Sequence, residues 1–215
     1  MDAVRQSAEI PVAGVTLDGD VVVPHDARGA VLFAHGSGSS RHSPRNRYVA
    51  ETLHRAGLAT VLADLLTPDE EELDRRTGAF RFDIGLLAGR VTALADWAAN
   101  DELTAGLGLG MFGASTGAAA ALVAAAARPT EVRAVVSRGG RPDLADDSLP
   151  LVRQPTLLIV GELDTAVLEL NRAALRRLAG TARLEIVPGA THLFEEPGAL
   201  DQVARLARDW FVHEL

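Results

Sequence analysis

The sequence predicts an α/β fold, a mostly parallel sheet with helices on both faces. Three observations carry that expectation. After a short opening section, strand-like apolar runs alternate with helix-like stretches through the rest of the chain. The strand-like runs are short and almost continuously apolar, as in Gly29-Ala30-Val31-Leu32-Phe33-Ala34, which suits strands covered on both sides. The residues best suited to chemistry follow directly on such runs, at the edge where a parallel sheet offers its ligand-binding crevice.

The section up to Pro24 holds short alternating runs around Asp18-Gly19, a hairpin signal. Strands are then expected at 30–34, 58–63, 107–112, 132–137, 156–160 and 183–187, with helices at about 45–56, 83–99, 116–127, 166–179 and 199–212. Repeated strand–helix units imply right-handed crossovers. The alanines at 118–121 and 124–127 give a helix able to lie close against the sheet. A single domain over residues 1–215 accounts for the length, burying about 70% of the surface of the extended chain, with no room for a large lid.

Composition removes several function classes. Hydrophobic residues at 47% and charged residues at 23% are ordinary for a soluble globular chain, and a net charge of −8 argues against a general nucleic-acid binder. No apolar run approaches the roughly 20 residues that span a bilayer, and the start, MDAVRQSAEI, lacks a basic n-region and an h-region. No membrane partner is therefore expected, and the expected location is cytoplasmic. The absence of cysteine excludes disulfides, a thiolate nucleophile and thiolate metal sites. No H-E-x-x-H motif or clustered His/carboxylate spacing calls for a metal. The glycines of Gly106-Leu107-Gly108-Leu109-Gly110 precede or lie within a strand instead of opening a helix, so no nucleotide cofactor is expected either.

The most informative segment is Leu107 to Leu122, where Gly113-Ala114-Ser115-Thr116-Gly117 joins an apolar strand to an alanine-rich helix. A nucleophilic serine on a sharp strand-to-helix turn needs small residues two positions to either side, because the two backbones approach there. Gly113 and Gly117 meet that need. The pattern alone also suits a Gly/Ala-rich helix start with Ser115 as an ordinary N-cap, so downstream partners decide. Pro155 to Asp164 reads as a short buried strand running into a carboxylate. Arg183 to His192 reads as an alternating strand followed by a glycine-containing loop that carries a histidine. A serine hydroxyl needs an imidazole to take its proton, and the imidazole needs a carboxylate to fix its tautomer. Ser115, Asp164 and His192 are the candidate catalytic set. Upstream, His35-Gly36-Ser37-Gly38-Ser39-Ser40 ends another strand in a loop of small residues able to turn its N–H groups inward. The N–H groups of Ser37 and Thr116 are the candidate oxyanion hole.

The segments HGSGSS at 35–40, GASTG at 113–117, GELD at 161–164 and GATHLFEEPG at 189–198 together resemble the α/β-hydrolase superfamily, most nearly its dienelactone-hydrolase-like branch, over nearly the whole chain. The order Ser, Asp, His is the one associated with that arrangement. The resemblance implies Ser115 as nucleophile, Asp164 as acid, His192 as base, and hydrolysis of an ester or related acyl compound such as a thioester. Members nearest dienelactone hydrolase use a cysteine nucleophile, which this chain lacks, so the lactone substrate does not carry over with the chemistry.

Other residues hold weaker expectations. Arg41 and His42 open a basic segment running to Arg47, and Arg138 and Arg141 follow another strand; all four are candidate binders of an anionic substrate, against the plainer readings of a solvated helix start and a salt-bridged turn. Asp143 is the rival triad acid. His35 is expected to shape its loop, His25, His54 and His213 to lie at the surface, and Asp69 to Glu72 to start a solvated helix, with 66–82 bordering the pocket. The expected partner is a small-molecule ester. The competing possibilities are a ligand-binding or regulatory protein that keeps a hydrolase pocket without meaningful turnover, and an acyltransferase or perhydrolase using the same triad.

Overall fold

The computed structural model describes residues 3–12 and 14–215. The strands are β1 (Ala3–Val12), β2 (Val15–Pro24), β3 (Gly29–Ala34), β4 (Leu58–Ala63), β5 (Gly108–Ala114), β6 (Val132–Arg138), β7 (Thr156–Gly161) and β8 (Ala182–Val187). The helices are α1 (Pro44–Arg55), α2 (Pro68–Thr77), α3 (Ile84–Asn100), α4 (Thr116–Ala127), α5 (Thr165–Leu175) and α6 (Ala199–Glu214), with a 3-10 segment over Pro142–Leu151. All eight strands form one sheet in the order β1-β2-β4-β3-β5-β6-β7-β8. The β1/β2 and β2/β4 pairs are antiparallel, and the rest are parallel.

The central strands β3, β4, β5 and β7 are buried at every position, as their unbroken apolar runs require. Alternate side chains divide between two cores. Leu32, Met111 and Val135 pack with Val91 and Leu94 of α3 and the alanines of α4. Val31, Phe33, Phe112, Val136 and Ile159 pack on the other face with Val49 and Leu53 of α1 and Val203, Ala207 and Phe211 of α6. Such alternation within one strand follows from the two-residue repeat of the pleat. The sheet order reverses direction at β3, which leaves a crevice between the carboxyl ends of β3 and β5.

Two helix starts are fixed by their own side chains. Ser43 caps α1 by accepting from the Asn46 N–H, with Pro44 next in line. In α2, Thr67 and Glu70 form a reciprocal capping box, and three carboxylates occupy the first turn. The acidic run from Asp69 thus builds a complete helix.

The opening hairpin differs from expectation. Val12 pairs with Val15, so the chain reverses around Gly14, which has φ +85°, while Asp18 and Gly19 lie inside β2 opposite Glu9 and Ala8. Gly19 there packs under Ile10, whose Cδ1 would lie 2.7 Å from an added Cβ and would have to swing aside. Helix α5 also stops earlier than expected, at Leu175. The chain past it must reach Gly180, which lies so close to Arg153 that a Cβ would meet its carbonyl oxygen at 2.3 Å.

Candidate active site

The turn after β5 holds Ser115 at φ 51°, ψ −122°, a strained conformation for a residue with a side chain. The neighbouring glycines make it possible. A Cβ on Gly113 would lie 2.4 Å from Ala118 Cα, and one on Gly117 would lie 2.2 Å from the Ala34 carbonyl oxygen. Strand, turn and helix therefore close on each other only because those two positions carry no side chain. Ser115 makes no capping bond to its helix, so its hydroxyl is not used as an N-cap. The backbone of Ser115 is clamped by its neighbours: its N–H donates to the Arg138 carbonyl at 3.3 Å, and its carbonyl accepts from the Arg141 N–H at 3.0 Å.

Asp164 and His192 come together from the ends of β7 and β8. Nδ1 of His192 lies 2.6 Å from Oδ2 of Asp164. A carboxylate only accepts, so Nδ1 carries the proton and Nε2 is left with a free lone pair, the tautomer a general base needs. Asp164 is largely buried and the His192 side chain is 41% exposed, so the acid is screened from water while the imidazole faces the open edge. The histidine loop is tied down on both sides: Glu162 accepts from the Gly189 N–H at 2.8 Å, and Glu196 accepts from the Thr191 hydroxyl at 2.5 Å. Gly161 lets the loop approach, since a Cβ there would stand 2.4 Å from the Ala190 carbonyl oxygen. The rival acid Asp143 is engaged otherwise, in a two-point ion pair with Arg141.

The loop after β3 lies against the serine turn. An added Cβ on Gly36 would come within 3.0 Å of both the Ala114 carbonyl oxygen and Ser115 Cβ. Ser37 Oγ bonds to Thr116 Oγ1 at 3.1 Å and donates to the Arg81 carbonyl at 3.1 Å. Among the described residues neither the Ser37 nor the Thr116 N–H donates to another protein group, which leaves both free for an oxyanion. His35 is buried and linked at both ring nitrogens, accepting from the Leu65 N–H at Nε2 and contacting the Gly36 carbonyl through Nδ1. Burial pushes its pKa down, which keeps it neutral. It shapes the loop, as expected from the sequence.

Beside this loop lies a cleft of about 90 Å³ bordered by Ser37, Thr116, Leu66, Glu71 and Arg81. The stretch 66–82 therefore borders this cleft, next to Ser37 and Thr116. Arg81 is the residue the sequence reading missed: it pairs with the buried Asp74 at 2.9 Å and presents its carbonyl to Ser37. Its only sequence signal is a basic residue seven positions after an acidic one, and that spacing would matter only along a continuous helix, whereas α2 ends at Thr77 and the chain turns back at Gly78.

The four candidate binding residues separate. Arg41 is held in ion pairs with Asp64 and Asp18, His42 Nδ1 meets the Arg47 guanidinium at 2.6 Å, and Arg141 is held by Asp143. Arg138 alone of the four lies buried with no carboxylate in ion-pair range among the described residues. Of the histidines expected at the surface, His25 and His213 are exposed, but His54 is half-buried, bonded to Thr60 through Nε2 at 2.7 Å. Among the described residues no group of three or more His, Asp or Glu side chains is placed to hold a metal ion, and no helix is long and apolar enough to cross a membrane.

No family model matches the chain. Among curated proteins it is 59% identical, over 210 residues and 98% of its length, to proteins from two strains of Mycobacterium tuberculosis that are named as phosphoribosyl transferases. The match takes in 46% of those proteins, so the chain spans about half the length of the curated relatives it matches. Among solved structures, Est1E from Butyrivibrio proteoclasticus superposes with a TM-score of 0.81 at 18% identity, over 97% of this chain and 98% of that one, a likeness of fold. A dienelactone hydrolase from Anabaena variabilis superposes with a TM-score of 0.97 at 59% identity, covering 99% of both chains. With identity of that order along the full length of a solved relative, and with the eight-stranded sheet in common, the chain belongs to the dienelactone hydrolase family of α/β-hydrolases.

Proposed function

We propose that the chain is a serine hydrolase of carboxylic esters or related acyl compounds such as thioesters. The observations that support this reading are a strained, uncapped Ser115 on its glycine-flanked turn and a histidine whose tautomer is set by a largely buried carboxylate at 2.6 Å. In this reading His192 Nε2 takes the Ser115 proton as Oγ attacks the acyl carbon. The carbonyl oxygen becomes an oxyanion held by the Ser37 and Thr116 N–H groups. The proton passes from Nε2 to the leaving alkoxide or thiolate, giving an acyl-serine. Water, deprotonated by the same imidazole, then releases the acid and restores the serine. The hydrolase names of the solved relatives support the reaction class, and the strict use of serine is read from the absence of cysteine. The transferase name of the curated relatives belongs to proteins about twice as long.

Fluorophosphonate labelling followed by intact mass tests the proposal before any substrate is known. The native protein is expected to gain one adduct, Ser115→Ala to gain none, and Asp164→Asn and His192→Ala to react far more slowly. A folded native protein that takes no adduct overturns the mechanism.

A further inference from the structure

Arg138 ends β6 one hydrogen bond from the nucleophile, since its carbonyl accepts from the Ser115 N–H. Its side chain shares a face of the sheet with Ala134 and Val136, which pack toward α1 and α6. There it is 9% exposed, and Nη1 is buried with no hydrogen-bond partner. Among the described residues no carboxylate forms an ion pair with it, and a like charge, that of Arg45 in the first turn of α1, acts on it. Burial and that like charge lower its pKa to about 10, which still leaves the guanidinium charged at neutral pH. Arg45 is itself held at one end by Glu195 at 3.2 Å, while its Nε is buried and unpartnered. The next residue, Gly139, packs on the catalytic histidine: a Cβ there would stand 3.3 Å from the His192 carbonyl oxygen and 3.5 Å from its Cε1.

A desolvated cation without a counter-ion is among the costlier features a fold can keep. Other partly or fully buried arginines of the chain are paired. Arg41, Arg81, Arg90 and Arg141 each have a carboxylate of this chain in contact. Hydrogen bonds to water ease the solvation of such a group but do not neutralise it. In the first turn of α1 Pro44 has no N–H and the Asn46 and Arg47 N–H groups are taken by Ser43, so what the turn adds to the same region is the positive end of a twelve-residue helix. Resting on the esterase reading above, we infer that Arg138, backed by Arg45 and the start of α1, is a specificity-determining anion site for an ester that carries a carboxylate or phosphate-like group a few bonds from its scissile carbonyl. The ligand supplies the missing negative charge, and its binding places the carbonyl over Ser115.

The test compares kcat/KM, by pH-stat, for monomethyl succinate, methyl 3-phosphonopropionate and neutral methyl butyrate. The native protein is expected to favour one of the two charged esters at least tenfold over the neutral one, and which of them it favours separates carboxylate from phosphate-like recognition. In Arg138→Met that ratio is expected to fall tenfold or more, with Arg138→Lys between the two. Because the substitution removes an unpaired buried charge, Arg138→Met is expected to unfold at an equal or higher temperature, an outcome a purely structural arginine would not give. An equal ratio in native and Arg138→Met proteins overturns the inference, as does a native protein without preference for either charged ester. Should the variant not fold or all three esters be inert, the native protein decides through protection of Ser115 from fluorophosphonate. Slower labelling in succinate or inorganic phosphate than in chloride of equal ionic strength supports the anion site, and equal labelling removes it. Absence of any labelling instead brings down the esterase reading itself, which keeps the two failures apart.

Discussion

Ser37 and Thr116 are 79 positions apart in the chain, yet their hydroxyl oxygens lie 3.1 Å from each other, joining the loop after β3 to the first residue of α4. Ser37 is also tied to the Arg81 carbonyl, so one hydroxyl sets the spacing of the two N–H groups assigned to the oxyanion. Ser37→Ala keeps the N–H and removes the tether. A neutral hydrogen bond contributes about 1 kcal/mol, so kcat is expected to fall roughly fivefold with little change in KM, because the misplacement is felt by the oxyanion more than by the ground state. Steady-state kinetics on 4-nitrophenyl acetate checks this. An unchanged kcat would mean that the loop holds its place without the hydroxyl.

Asp164→Asn leaves the shape of the triad intact but lets the amide donate to Nδ1, which reverses the imidazole tautomer and moves the proton to Nε2. The expected loss in kcat is about 10⁴-fold, as for the equivalent change in serine proteases. Asp143→Asn, on a carboxylate already occupied by Arg141, is expected to change kcat by less than about threefold. The two variants side by side, measured on one ester, decide which carboxylate serves the histidine.

Gly117→Ala is expected to be damaging well beyond one methyl group. Its Cβ would stand 2.2 Å from the Ala34 carbonyl oxygen and 2.4 Å from that of His35, both backbone atoms that cannot swing aside. Overpacking costs typically about 1–3 kcal/mol and more where backbone must move. For a chain of this size each kcal/mol shifts Tm by about 2–4 °C. A fall of roughly 5–10 °C is expected by calorimetry, together with loss of fluorophosphonate labelling, because α4 and the serine turn must shift together.

The central strands and the sharp turn that carries Ser115 were legible for one reason: each rests on a local pattern with a physical cause. Unbroken apolar runs mark β3, β4, β5 and β7, and the glycines around Ser115 mark the only kind of turn that fits there. The reversal at Gly14 was not legible, because Asp18-Gly19 is an equally good local turn signal and only long-range pairing with Ala8 and Glu9 places it inside a strand. The division among the arginines was hidden for a similar reason. Arg138 and Arg141 look alike in sequence, and what separates them is that Asp143 lies within reach of Arg141 while β6 carries Arg138 to the opposite, apolar side of the sheet.

His54 makes stability depend on pH. Burial and the nearby Arg5 charge lower its pKa from 6.5 to about 4. A folded-state pKa below the unfolded value means that the unfolded chain takes up the proton more readily. The contribution is therefore complete above about pH 6.5 and is lost as the pH falls toward 4. Buried His35, whose pKa is also pushed down, acts in the same direction. Thermal melts at pH 7.5 and pH 5 should show a drop in Tm for the native protein that is smaller in His54→Gln, which can still bond to Thr60 but does not titrate. Equal drops in both proteins would assign the acid sensitivity elsewhere.

Arg90 is 4% exposed at its side chain, and Glu70 supplies its charge partner through two bonds of 2.5 and 2.7 Å. The Arg90 guanidinium in turn holds the Glu70 carboxyl below its usual range. The same Arg90 donates to the Leu65 carbonyl, so the pair fastens α2 and the end of β4 to α3. Glu70→Ala leaves that guanidinium buried with no charge partner, only the Leu65 carbonyl, and removes half of the capping box of α2. Breaking a buried pair on one side costs about 3–5 kcal/mol, whereas Arg90→Met with Glu70→Gln, which removes both charges, is expected to recover most of that loss. Because α2 also carries Asp74, which positions Arg81 against Ser37, the single variant should lose esterase kcat as well as stability. Recovery of Tm and kcat together in the double variant would assign both losses to the stranded charge. Recovery of Tm alone would assign the loss of activity to a displaced α2, and a Tm that stays low would place the damage in the helix cap instead of the ion pair.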